Sequence, residues 1–466
     1  MIPTKPLFAL LALFTVALAG CAAGTVTSAP ARSADPGQTP GTTQAPASGA
    51  RTEDASAMNR IAESYVKLVL AVGQHDADYV DAYYGPPEWR TAAEAQGKRP
   101  LDQIRGEASA LLAEVRPLTP PASGEDARMH RLRHEYLSRQ LGSLIARVDQ
   151  LGGKRMKFDE ESKALYDAVA PRHDDAYFQE GIDQLESLLP GEGSLNQRLD
   201  RFRQKYVIPA DRVDAVFQAA IAECRRRTAP HVELPAGESF VTEYVTDKPW
   251  SGYNWYKGGY HSVIQVNTSN PIFIDRALDL ACHEGYPGHH LYNALLEKNL
   301  VRDRGWPEFS VYPLYSPQSL IAEGTANFGI EVAFPGPERL KYEKEALYPL
   351  AGLDPAAADL YDRVQKLGTR INYASNEAAR RLLDGEIDRD QAIDWMQKYG
   401  LYSRPWAEQR VRFIERYRSY VINYNLGLDL VRQYIERNGG TPDNPQKRWE
   451  LFMDLISSPR LPSGLM

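Results

Sequence analysis

The sequence predicts a mainly α fold: one large helical domain spanning 56–466, with a small β-hairpin or sheet at about 239–267. Three observations carry this prediction. From Ser56 onward apolar residues recur at three- and four-residue spacing, the pattern of helices with one buried face. Only Ser239–Thr246 (SFVTEYVT) and Tyr260–Asn267 (YHSVIQVN) alternate and are rich in Val, Ile and Tyr, as strands are. The composition, 43% apolar and 25% charged over 466 residues, is that of a globular chain able to bury a sizeable core.

The N-terminus reads as an address. Lys5 precedes an apolar run, Leu7–Leu18. That run is too short for a bilayer, which takes about 20 residues, and has the size of a signal-peptide core. Leu18-Ala19-Gly20-Cys21 resembles a bacterial lipobox, in which cleavage before Cys21 frees a thiol to carry lipid. Residues 1–20 are therefore expected to be a lipoprotein signal peptide. Residues 21–55 are Ala-, Thr-, Ser-, Pro- and Gly-rich and cannot bury a core, so they are expected to be a disordered tether. Acyl chains would supply the only membrane contact. Ala22, rather than an acidic residue, favours an outer-membrane anchor facing the periplasm.

The body is then read in order. Ile61, Tyr65, Leu68 and Val72 mark a first helix. Further helices are predicted at 101–115, 125–151, 183–189, 212–226, 356–383 and 406–437, separated by Pro and Gly. Between the two predicted strands lies Trp250–Tyr256, dense in aromatics. Arg225-Arg226-Arg227 is the one tight basic run and reads as a solvated helix face. With 54 basic against 61 acidic residues, the balance argues against a nucleic-acid partner. Cys224 and Cys282 are expected to be buried free thiols.

The chemistry sits in 276–297, RALDLACHEGYPGHHLYNALLE. Three of the nine histidines, His283, His289 and His290, fall here beside Glu284. Zinc takes neutral imidazole nitrogens, and a catalytic site keeps one position open. A glutamate next to a ligand can accept the proton of an attacking water. The segment is not H-E-x-x-H, because Pro287 occupies the fourth position after His283 and must break the helix. The second ligand then comes from beyond the break. A tight turn at Pro287-Gly288 would return His289 to His283, whereas on a continuous helix His290 would lie about 10 Å along the axis. His289 is the preferred ligand and His290 the alternative. Downstream, SLIAEGTANFGIEVAF offers Glu323 as third ligand, on a second helix. Glu331, two turns further, is expected to orient a ligand histidine from behind. His130 and His134, four apart among arginines, read as a decoy, since positive charge repels a divalent ion. No Walker loop, G-x-G-x-x-G or G-x-S-x-G occurs.

These residues resemble a family. His283–His290 (HEGYPGHH) followed by Glu323-Gly324-Thr325-Ala326 is similar to the bacterial domain-of-unknown-function 885 lipoproteins, which resemble gluzincin zinc peptidases. Asp76–Pro86 (DADYVDAYYGP), Arg416-Tyr417 and Tyr424–Gly427 extend the likeness over about 56–460. The chain departs from it at Thr325, where Trp is common, and at Ile371–Ser375 (INYAS), where many members carry Asp-x-Gly-x-His. The resemblance implies a helical metallopeptidase-like fold, one zinc ion at His283, His289 and Glu323, and Glu284 as base. His290 would support the ligands from outside the coordination sphere.

The expected activity is zinc-dependent hydrolysis of a peptide or small amide. Tyr424 and Arg416, in the closing helices, are the candidates for stabilising the oxyanion. The strand Tyr260–Asn267 is expected to accept an extended peptide along a free edge, with His261 and Asn267 lining the cleft. The rival is a non-catalytic envelope lipoprotein that binds peptides or metal, in which Glu284 would have no purpose.

Overall fold

Helices dominate the computed structural model, as the periodicity predicts. It describes residues 48–466 apart from Glu125 and Pro249, with side chains from Asp54 onward. Cys21, the signal peptide and most of the tether lie outside the described residues. Residues 48–466 form one compact unit. No helix among the described residues is long and apolar enough to cross a membrane.

Several helices fall where the spacing puts them: Leu101–Val115, Ala127–Leu151 and Val213–Thr228. The first runs over Ser48–Gly73 and buries Ile61, Tyr65, Leu68 and Val72. Two long predicted helices are each divided. The 356–383 stretch becomes Ala358–Ile371 and Ala374–Leu383. Tyr373, at the break, donates its hydroxyl to Asp429 across the fold at 2.6 Å. The 406–437 stretch becomes Arg404–Tyr417, a short 3-10 turn at Arg418–Val421, and Ile422–Arg437. Buried Glu161 causes this break. It accepts Arg418 Nε at 2.7 Å, Ser419 N at 3.1 Å and Ser419 Oγ at 2.6 Å. Arg418 is held at φ +55°, a costly left-handed conformation outside glycine. Periodicity cannot register a turn imposed by a distant carboxylate. The break matters because it swings Tyr420 toward the site described below.

The β structure is small. Strands β1 (Val80–Tyr83) and β5 (Val311–Pro313) pair antiparallel, with an irregularity at Asp81. Strands β2 (Ser239–Val245), β3 (Gly252–Gly258) and β4 (His261–Asn267) form a second sheet, ordered β2-β4-β3. The aromatic run is thus itself a strand. β2 pairs parallel with β4 and β3 antiparallel. β4 is therefore central, with both edges already bonded, and cannot accept a peptide as an edge strand; that expectation is corrected.

The helix Pro317–Ala333 runs through the core and buries Leu320, Ile321, Ala322 and Phe328. It meets Ile422–Arg437 backbone to backbone at Gly324 and Gly427. A Cβ on Gly324 would lie 2.4 Å from the Gly427 carbonyl oxygen, so only glycine permits this approach. A fully buried bidentate pair, Arg133 to Glu308 at 2.6 and 3.1 Å, fastens Ala127–Leu151 to the segment before β5.

Candidate metal centre

The helix Ile274–Leu280 continues into a widened π turn, Ala281–Gly285, which carries His283 and Glu284. Such turns interrupt the regular ladder and recur at functional sites. The Tyr286-Pro287 bond is cis, and a new helix, His289–Leu296, begins after Gly288. A Cβ at Gly288 would fall 1.8 Å from the His283 carbonyl oxygen, so the bend requires glycine there. The bend returns His289 to His283: their Nε2 atoms lie 3.1 Å apart. His289 is thus the partner and His290 is not.

Glu323 completes the group. Its Oε2 lies 3.4 Å from His283 Nε2 and 3.9 Å from His289 Nε2. Bonds of about 2.0–2.1 Å in a tetrahedron put ligand atoms about 3.3 Å apart, close to these three separations. Glu323 Oε1 accepts the Tyr420 hydroxyl at 2.9 Å, while buried Oε2 has no hydrogen-bond partner. A buried unpaired carboxylate oxygen facing two imidazole nitrogens is costly unless a cation joins them. These residues fit a zinc ion.

The tautomers agree. Asn327 Oδ1 sits 3.0 Å from His283 Nδ1, and Asn327 Nδ2 donates to the Tyr424 carbonyl at 3.1 Å. With Asn327 so oriented, His283 carries its proton on Nδ1 and turns the Nε2 lone pair to the centre. Asn327 lies one turn past Glu323 on the same helix, which places both beside His283. Burial first, then the His283 charge, lower the His289 imidazole to about 4, so it is neutral as a ligand must be. Burial opposes charge on His283 too, but Glu323 and Glu284 outweigh it and raise its pKa. The field at this point favours a positive charge. Replacing Asn327 by Ala is expected to weaken zinc binding about 10- to 100-fold, read by competition with a zinc-chelating dye; unchanged affinity would remove Asn327 from this role.

Glu284 is buried beside the ligands. Its carboxylate and the His283 and His289 nitrogens can all lie within 4.8 Å of one another. Grouping those three makes Glu284 a ligand, but Glu323 is the one facing both Nε2 atoms with an unpaired oxygen, so we take Glu323 as the ligand. Burial, followed by the charges of Glu323 and Asp81, pushes the Glu284 carboxyl up to about 7 against His283 and Arg276. Asn254 Nδ2 holds the Glu284 carbonyl at 2.7 Å.

Five sequence expectations are corrected. His290 is fully buried and faces the sheet, with Nδ1 on Ser262 Oγ at 2.8 Å and Nε2 on Glu238 Oε2 at 3.0 Å. Glu331 pairs with Arg432 and Arg448, because eight residues carry it about 80° around the helix from Glu323; Asn327 does the orienting instead. Arg416 spends its guanidinium on Asp78, at 2.9 Å to each oxygen, and is half exposed. Asn267 ties the loop before β3 through the Lys248 and Trp250 carbonyls, both at 2.9 Å. His261 Nδ1 bonds Ser239 Oγ at 3.2 Å and so ties β4 to β2.

Tyr424 stays near the centre, its phenol felt by Glu323 and Glu284 and its ring 5.8 Å from that of Tyr420. Tyr420, Asn327 and Glu238 were missed. Asn327 was detectable from its one-turn spacing to Glu323; Tyr420 depends on the Glu161 turn and had no local signal. Glu238, just before β2, accepts the side chains of His290, Tyr286 and Arg225, and these hydrogen bonds overcome burial to hold its carboxyl at about 2. His134 bonds the Val115 carbonyl and His130 packs on Trp306. The disulfide is a further correction: Cys224 and Cys282, expected as thiols, are bonded to each other with Cα atoms 5.6 Å apart. The predicted helix 212–226 and the metal helix pack side by side, which sequence distance conceals.

No family model matches the chain, and no curated protein matches it. In shape it is similar to the crystal structure of "the putative lipoprotein from Colwellia psychrerythraea", with a TM-score of 0.47 and 17% identity, over 81% of this chain and 71% of that one.

Proposed function

We propose that the chain is a zinc-dependent hydrolase, a peptidase of gluzincin type related to the domain-of-unknown-function 885 lipoproteins, anchored through Cys21 in the bacterial envelope. One observation carries the reading: the unpaired, buried Oε2 of Glu323 faces the Nε2 atoms of His283 and His289 at separations suited to one shared ion. An open position is supported by Cys282, whose sulfur is committed to Cys224 and unavailable as a fourth ligand. The disulfide suits an oxidising compartment such as the periplasm, and an outer-membrane anchor is part of the proposal.

Zinc, when bound, supplies a Lewis acid for the scissile carbonyl and acidifies water. The chain does the rest. Glu284 accepts the proton of the attacking water at its carboxylate and returns it to the leaving nitrogen. Tyr424, whose hydroxyl feels the charge of the same carboxylates, would donate to the developing oxyanion. Tyr420 holds Glu323 and so fixes the ligand side of the cleft.

The test is metal analysis joined to a peptide-library screen. We expect one zinc per chain, peptide hydrolysis lost on chelation, and recovery on adding zinc. Zinc binding without hydrolysis of any peptide would favour the non-catalytic binder.

A further inference from the structure

We propose that Glu238 is a positioning residue for the metal centre: through Tyr286 and His290 it fixes how far the bend after Glu284 closes, and so sets the strength and the size preference of ion binding at His283, His289 and Glu323. The proposal rests on the metal site of the reading above, but not on peptide hydrolysis.

Glu238 stands outside the ligand set, just before β2, and its side chain is 3% exposed. Both of its oxygens are engaged. Oε1 accepts Arg225 Nη2. Oε2 accepts the Tyr286 hydroxyl and faces His290 Nε2 at 3.0 Å. A carboxylate only accepts, so His290 carries its proton on Nε2, and its Nδ1 takes the Ser262 hydroxyl at 2.8 Å.

The places of these donors in the chain give the carboxylate its meaning. Tyr286 lies immediately before the Pro287-Gly288 bend, and His290 immediately after His289. One oxygen atom thus holds both sides of the bend and brackets a proposed ligand. Phe240 packs against the same residues: its ring centroid is 5.4 Å from that of Tyr286 and 5.1 Å from that of His290, and a Cβ on Gly285 would meet it at 3.2 Å. In a close-packed interior the bend cannot open without stretching these hydrogen bonds or displacing that ring.

The other limb is fastened to the same piece of helix. Cys282, next to His283, is bonded to Cys224, and Arg225 is the following residue. Val213–Thr228 therefore grips one limb by a covalent bond and the other through Glu238. The 3.1 Å between the His283 and His289 Nε2 atoms lies between these two grips. That separation suits bonds of about 2.0–2.1 Å, and a larger ion needs the nitrogens farther apart. Asn327 orients the ring of one ligand; Glu238 acts on the spacing of two.

The test measures zinc and cadmium binding to the metal-stripped full chain by competition with a chelating dye, cadmium being the larger ion. Glu238→Gln keeps the shape of the side chain, removes its charge and exchanges one acceptor oxygen for a donor. We expect it to weaken zinc about 10- to 100-fold, and cadmium about threefold less than zinc or better. Tyr286→Phe keeps the ring on Phe240 and removes one bond to Glu238. It should weaken zinc about threefold to tenfold, and it serves as the test if Glu238→Gln does not fold. The control is Glu308→Gln, at a buried carboxylate bonded to Arg133 and not to the bend. It should lower the urea midpoint and leave both affinities within about twofold. Unchanged zinc affinity in the folded variants overturns the proposal. So does an equal loss for zinc and cadmium, or the same zinc loss in Glu308→Gln, since either makes Glu238 a stabilising residue only. A wild-type chain that binds no zinc overturns it together with the hydrolase reading. The expected metal pattern with no hydrolysis of any peptide would sink the peptidase and keep this inference; hydrolysis with a zinc affinity indifferent to Glu238 would do the reverse.

Discussion

Replacing Glu284 by Gln is expected to leave zinc in place and to lower kcat/KM for peptide hydrolysis by about 1,000-fold, within the range of a lost general base. The amide keeps the size of the carboxylate but cannot take a proton. Its position should persist, because the bond from Asn254 reaches the backbone carbonyl of Glu284 and not its side chain. Zinc should persist as well, because the ligands proposed for it are His283, His289 and Glu323 and the variant alters none of them. Zinc per chain by mass spectrometry and steady-state kinetics read the two quantities separately. Retained zinc with full activity would remove Glu284 from the reaction. Lost zinc would make it a ligand, a role its nearness to both imidazoles keeps in view.

Removing the disulfide is the second large effect. Cys224 and Cys282 are both fully buried and close a loop with a separation of 58 residues. The chain-entropy relation for a loop of that length gives about 4 kcal/mol. The double variant Cys224→Ala, Cys282→Ala should therefore unfold at a clearly lower urea concentration. It should also bind zinc more weakly, since Cys282 immediately precedes His283 and anchors the π turn to the helix Val213–Thr228. An unchanged urea midpoint would refute the stabilising role. A lower midpoint with unchanged zinc affinity would confine the disulfide to the fold.

The sequence was most legible where chemistry is local. His283, Glu284 and the proline break lie within one short segment, and the need to return a histidine across the bend selected His289. Glu323 needed only the inference of a second helix. What could not be read depends on distant partners. The divided helix at Arg418 is made by Glu161, and it alone brings Tyr420 to Glu323. Arg416 and Glu331 carried the right charge for site roles but found counter-ions elsewhere on the surface. The edge position expected for Tyr260–Asn267 failed because the aromatic run supplies a further strand, β3, on its other side.

The glycine contact between the two central helices has a practical meaning for anyone reshaping this protein. Glu323 stands on one helix and Tyr424 on the other, fused at touching main chains, so this wall is a rigid casting. Attempts to admit bulkier molecules by loosening it should shatter the centre first.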